Sequence, residues 1–170
     1  MAEIKSARQK IKACLWFEDN AEQAVKFYTS IFKKSKIGKV TRYGEGAPFP
    51  KGRVLTIGFQ IEGVEFLALN GGPYFKFTEA VSFVVNCKTQ REIDYYWEKL
   101  SRGGAKIECG WLKDKFGVSW QIVPDIINDL LAGKDSEKSE RVMKAIMKMK
   151  KLDINTLKRV YGINRKTTSK

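Results

Sequence analysis

The chain contains no histidine among its 170 residues, and only three cysteines and four prolines. Imidazole is the commonest metal ligand and the one side chain whose ordinary titration falls near neutral pH. Without it, a cysteine nucleophile has no neighbouring base to hold it as a thiolate. Cys14, Cys87 and Cys109 are odd in number and too far apart for a zinc knuckle, so reduced thiols and a cytoplasmic setting are expected. No apolar run approaches the ~20 residues that span a bilayer, which argues against a membrane partner. The opening MAEIKSARQK lacks the apolar core of a secretory signal.

What is present suits a globular fold: 43% hydrophobic and 12% aromatic residues, in a length that can bury a full core. The net charge is +13, and its placement matters more than its size. Residues 1–12 carry four basic and one acidic side chain, and residues 133–170 carry twelve basic and four acidic. The body between them is nearly balanced. A basic tail attracts phosphates without specificity, but no basic patch interleaved with aromatics accompanies it. The charge therefore reads as a solvated helix face, not a nucleic-acid site.

The most informative stretch is CGWLKDKFGVSWQIVP, Cys109–Pro124. Side chains alternate across a strand, so Ser119, Gln121 and Val123 share one face and Trp120 and Ile122 the other. An aromatic on one face and an amide on the other suit a packed core behind and a cavity in front.

This stretch closes the second of two similar units, a repeat worth seeking early. The first runs from a strand at Ile11–Phe17, through a helix that Asn20 and Gln23 could cap, with Ala21, Ala24, Val25, Tyr28, Ile31 and Phe32 inward. Strands follow at Lys36–Tyr43, Val54–Ile61 and Val64–Leu69, the last two joined by a Glu62-Gly63 turn. The second runs from Ala80–Asn86 into a helix with a Thr89/Glu92 capping box and an Ile93, Tyr96, Trp97, Leu100 stripe, stopped by Gly103-Gly104. Strands near Lys106–Cys109, Trp111–Lys113 and Val118–Val123 complete it. The expected class is α+β, two βαβββ modules (about 11–75 and 80–124, within a domain 1–124). C-terminal helices at 125–162 and a basic tail at 163–170 follow. Those helices place Val142, Ile146 and Met149, then Ile154, Leu157 and Tyr161, inward, with Asp153 as a cap.

LWFEDNAEQAVKFY, LNGGPYFKF, AVSFVVNC and the Cys109–Pro124 segment together resemble the PhnB-like branch of the vicinal oxygen chelate superfamily, to which glyoxalase I and bleomycin-resistance proteins belong. RVMKAIMKMKKLDI (Arg141–Ile154) is similar to its C-terminal helix. The branch often bears the name 3-demethylubiquinone-9 3-methyltransferase domain. The resemblance implies sheets that curl around a ligand cavity, and a homodimer. In metal-using relatives four inward side chains hold a divalent cation. By strand and face these positions fall near Ala13, Leu67 or Ala68, Ser82 and Gln121, of which only Gln121 is a plausible ligand. No metal or other cofactor is expected. Tyr74 stands where related sequences often carry histidine, and with an ordinary pKa near 10 it is a poor base at neutral pH. Methyl transfer lacks its glycine-rich turn between strand and helix: Gly71-Gly72 lies in a loop before a strand and Gly103-Gly104 stops a helix.

Sharing parity with those positions, Leu15, Phe17, Ser82, Ser119 and Gln121 are expected to face the cavity, while Trp16, Phe83 and Trp120 face the helices. Trp111 could line it, and Asn70, Tyr74 and Phe75 could cap it. No residue takes a catalytic role, and Cys109 reads as a structural thiol. The leading expectation is a small-molecule binding protein with an apolar, aromatic, metal-free pocket. The alternatives are a divalent-metal-assisted lyase or dioxygenase-like enzyme, and an interaction module acting through the basic C-terminal helices.

Overall fold

A computed structural model describes residues 9–163, which divide between two compact units, one ending at Lys76 and the other beginning at Phe77. Each contains one four-stranded mixed sheet. In the first unit β1 (Ala13–Phe17) leads to α1 (Ala21–Ile31), β2 (Ser35–Arg42), β3 (Val54–Ile61) and β4 (Val64–Asn70). The strand order is β1-β4-β3-β2, with β1 parallel to β4 and the other pairs antiparallel. Glu62 and Gly63 both adopt positive φ, 47° and 84°, as a two-residue hairpin between right-twisted strands demands.

α1 packs across β2, β3 and β4. Ala21, Ala24, Val25, Tyr28 and Ile31 are buried against Leu15, Phe17, Ile57, Phe59, Phe66 and Ala68. Tyr28 stacks on Phe59 at 6.2 Å, and Phe59 on Phe66 at 5.2 Å. Each large side chain buried this way contributes about 1.5–3 kcal/mol. The expected Asn20 cap does not form: its side chain makes no cap hydrogen bond. The acceptor comes instead from the end of β4, where Asn70 Oδ1 takes the Ala21 N–H at 2.9 Å.

The second unit repeats the topology. β5 (Ser82–Cys87), α2 (Gln90–Leu100), β6 (Ala105–Lys106), β7 (Trp111–Lys113) and β8 (Ser119–Pro124) give the order β5-β8-β7-β6, again with the first strand parallel to the last. Thr89 and Glu92 make the expected reciprocal capping box. Ile93, Trp97 and Leu100 are buried with Leu112, Trp120 and Ile122. The paired βαβββ units make this the α+β glyoxalase/bleomycin-resistance fold.

Three further helices belong to this unit: α3 (Ile127–Leu131), α4 (Ser136–Ile146) and α5 (Ile154–Tyr161), the last capped by Asp153. Val142, Ile146, Leu152 and Leu157 share a buried cluster with Leu130 and with Val123 of β8. Met143 and Met147 stay exposed. The helices are thus joined to the sheet through a common core. Two backbone bonds of 2.7 Å, from Cys109 N–H to Met149 O and from Gly110 N–H to Lys150 O, pin the turn after α4 to the start of β7. Gln90 adds a two-way clip, donating to Leu152 O and accepting from Ile154 N–H. Gly110 has φ 83°, and a Cβ there would lie 2.8 Å from Ile122 O. Glycine at 110 is therefore a backbone requirement of this docking. Of the 163–170 tail only Ile163 lies within the described residues.

Candidate functional site

The α1 and α2 helices each cover one face of their sheet; on the opposite face of the second sheet the C-terminal helices bury Val123 at the end of β8, so a site on that face lies toward Ser119, Gln121 and Trp111. In the second unit β7 and β8 pair Trp111 with Gln121 and Lys113 with Ser119, while β5 and β8 pair Ser82 with Ser119 and Val84 with Gln121. Directly paired residues project to the same side. Ser82, Trp111, Ser119 and Gln121 therefore share the face away from α2, as parity predicts for Ser82, Ser119 and Gln121. Phe83 and Trp120 lie on the helix side, 5.4 Å apart.

Two polar features distinguish this face. Gln121 donates from Nε2 to Ser82 Oγ at 2.9 Å, which fixes the amide and leaves its carbonyl oxygen as an acceptor. Ser119 is 1% exposed, and its Oγ has no hydrogen-bond partner among the described residues. A buried hydroxyl without a partner costs about 1–3 kcal/mol, so such atoms are rare and call for an explanation.

In the first unit the face assignment needs correcting. Leu15 and Phe17 pair with Ala68 and Asn70, and all four are buried on the α1 side. Trp16, expected to face the helix, lies on the open face with Cys14, Leu67 and Leu69. The cause is a one-residue error of anchor at Ala13, and in a strand that reverses every side chain. Asn70 is corrected as well. It is 1% exposed and holds α1 to the sheet. It accepts from Ala21 N–H and donates to Glu22 Oε2 and Val54 O at 3.0 and 3.1 Å. Its own carbonyl receives Tyr43 OH at 2.6 Å.

The loop after Asn70 is fastened by Trp16, whose Nε1 donates to Gly72 O at 2.9 Å and whose ring meets the Phe75 ring edge-on at 4.9 Å. Gly71 lies under that ring, leaving no room for a Cβ. Tyr74, which makes no such anchor, is 76% exposed.

The thiols differ in setting. Cys87 is fully buried, and burial pushes its pKa up to about 12, with the Glu92 and Asp125 carboxylates adding to the rise. Partial burial also raises that of Cys14. Cys109 Sγ lies 3.6 Å from Met147 Sδ, beside the C-terminal cluster, which agrees with a packing role.

Taken unit by unit, the residues away from the helix at or next to the positions that the resemblance implies for metal ligands are Cys14 and Leu67 in the first sheet and Ser82 and Gln121 in the second. Leucine cannot coordinate, and the serine and glutamine are neutral and bonded to each other. Among the described residues no three His, Cys, Asp or Glu side chains gather into a possible cation site. This donor set does not fit the group the fold implies, since zinc or iron calls for several strong ligands.

Asp114 is a structural residue that the sequence analysis does not single out. It is 2% exposed. Its Oδ1 accepts the N–H groups of Phe116 and Val118, and its Oδ2 accepts Trp120 Nε1 at 2.8 Å. An Asp followed two residues later by Phe-Gly was the available signal of an Asx-type turn.

Among the described residues no helix is long and apolar enough to cross a membrane. A comparison with curated proteins finds no match. The family described as 3-demethylubiquinone-9 3-methyltransferase matches residues 9–123. The match ends within β8, before the Arg141–Ile154 segment included in the sequence resemblance. A PhnB protein of Bacillus cereus bearing the same family name is 40% identical, with a TM-score of 0.63, over 68% of this chain and 99% of that one. A structure of the Pseudomonas aeruginosa protein PA1353 is 18% identical over 69% of this chain and 98% of that one, with a TM-score of 0.58; it supports the fold alone. The chain belongs to the PhnB-like, 3-demethylubiquinone-9 3-methyltransferase domain family of the vicinal oxygen chelate superfamily.

Proposed function

We propose that this chain binds a small organic molecule without a metal ion, on the open face of the second sheet around Trp111, Ser119 and Gln121. The observation that carries the reading is the buried, unpartnered Ser119 hydroxyl on the same face as the oriented Gln121 amide. A ligand oxygen or nitrogen would satisfy the hydroxyl, the Gln121 carbonyl would accept a ligand donor, and Trp111 would supply apolar contact. A few fixed polar groups among apolar ones is the usual make-up of a small-molecule site. Tyr74 and Phe75, exposed on the loop after β4, are proposed to offer a ligand contact on the first unit. Leu15, Phe17 and Asn70 act indirectly, by holding the first sheet on α1. Neither methyl transfer nor another reaction is assigned, since no base, nucleophile or metal-ligand set is assembled on this face. Homodimeric assembly and a cytoplasmic setting belong to the same proposal, on the strength of family membership.

Ser119→Ala separates binding from folding. Removing an unpaired buried hydroxyl should leave the ligand-free protein as stable as before or up to about 1 kcal/mol more stable in urea. The same change should reduce the ligand retained through purification, read by native mass spectrometry, by roughly tenfold in affinity. A variant that is less stable yet retains ligand unchanged would show the hydroxyl to be structural.

A further inference from the structure

A depression lies wholly within the first unit, on the open face of its sheet. Its volume is about 340 Å³, and Lys12, Lys36, Gly38, Lys39, Gly58, Gln60 and Glu65 line it along with Phe59 and Phe66. This is the lower end of the size range of small-ligand sites. The strand pattern explains the hollow. Between the pairs Ile37–Phe59 and Val40–Ile57 the register slips, setting Gly38 and Lys39 opposite the single residue Gly58. Such a bulge bends its strand. A Cβ on Gly38 would meet Gly58 O at 3.1 Å, so the two backbones approach with no side chain between them. The floor is peptide and the rim is lysine.

The charge on the rim is unbalanced. Lys12 is paired with Glu65 at 3.4 Å, whereas Lys36 and Lys39 have no carboxylate within ion-pair distance among the described residues. Two lysines beside a peptide-lined hollow attract an anion, and each ammonium is a compact charge with three donors. We propose that this groove is a binding site for the oxyanion of a small molecule, a carboxylate or phosphoryl group, held by Lys36 and Lys39 over the Gly38/Gly58 floor. Glu65 keeps Lys12 at the edge and disfavours larger polyanions.

The test uses the full-length chain, with inorganic phosphate and acetate as separate probes and sodium chloride at matched ionic strength as the reference. Amide chemical shifts of Gly38 and Gly58 are followed by NMR. Saturable shifts with phosphate, acetate or both, beyond those with chloride, are expected, and the responding probe identifies the oxyanion. Lys36→Ala/Lys39→Ala should raise the Kd at least tenfold. Lys26→Ala/Lys33→Ala removes the same charge from exposed positions elsewhere in the unit and should leave it within twofold. Gly58→Ala offers a second route. A Cβ at residue 58 meets only ordinary contacts, 3.7 Å from Lys39 O, so the methyl group enters the hollow floor without a backbone clash and should raise the Kd severalfold. No response beyond chloride, or equal losses in the two double variants, would overturn the proposal. The groove is built from the first unit alone, so its failure would leave the reading of Ser119 and Gln121 standing, and the converse holds.

Discussion

Asp114→Ala is expected to destabilise the protein by about 4 kcal/mol, a large share of the ~5–15 kcal/mol that holds a domain of ordinary stability together. The carboxylate is buried and accepts three hydrogen bonds, two from the backbone of its own turn and one from the Trp120 indole. Bonds to a charged acceptor contribute about 1.5–3 kcal/mol each, and removing the acceptor strands buried donors. Two backbone bonds of the same β7–β8 turn, Asp114 N–H to Val118 O and Gly117 N–H to Asp114 O, do not use the side chain and remain in the variant. Urea denaturation followed by circular dichroism measures the effect. Asp114→Asn should fall between wild type and alanine, since an amide can still accept in the turn but turns an NH₂ donor toward the indole N–H. Adding Trp120→Phe to Asp114→Asn should then cost at least 1 kcal/mol less than the sum of the single changes, as groups in direct contact couple. Additive behaviour would show that the indole bond contributes nothing.

Asn70→Ala is expected to cost about 3 kcal/mol. The residue supplies the α1 cap that Asn20 does not, and its amide joins Glu22 to Val54 O. Loss of a helix cap alone costs about 1 kcal/mol, and the stranded Val54 carbonyl adds a buried acceptor. Asn70→Asp is the informative companion. It keeps the cap acceptor but sets a carboxylate against Glu22, and like charges disfavour ionisation of the pair. Its deficit at neutral pH should therefore shrink as the pH is lowered toward 4 and one carboxyl gains a proton. A deficit independent of pH would contradict this geometry.

Both residues mark where the sequence could be read and where it could not. The repeated βαβββ order, the Thr89 capping box, the Glu62-Gly63 hairpin and the helix-facing Phe83 and Trp120 follow from local periodicity and turn chemistry, which the chain carries within a few residues. Asn70 and Asp114 act through partners 16 to 49 residues away or across a turn, and local pattern says nothing of those. Strand β1 failed for a different reason. Its five residues are apolar almost throughout, so hydrophobicity does not mark the inner face, and a face assigned from one borrowed anchor was reversed. In β8 the alternation Ser119-Trp120-Gln121-Ile122 marks the faces itself, and there the reading of Ser82, Ser119 and Gln121 as one face agrees with the register. The bulge at Gly38 and Lys39 left only a lone glycine as its sign.

The proposed site on the second sheet takes a small organic molecule without a metal ion. The most direct measurement is native mass spectrometry of freshly purified wild-type, Trp111→Ala and Gln121→Ala proteins, with elemental analysis of the same samples. A bound organic mass is expected in the wild type, reduced in both variants, with metal well below one ion per chain in all three. A stoichiometric metal ion lost on Gln121→Ala would contradict it.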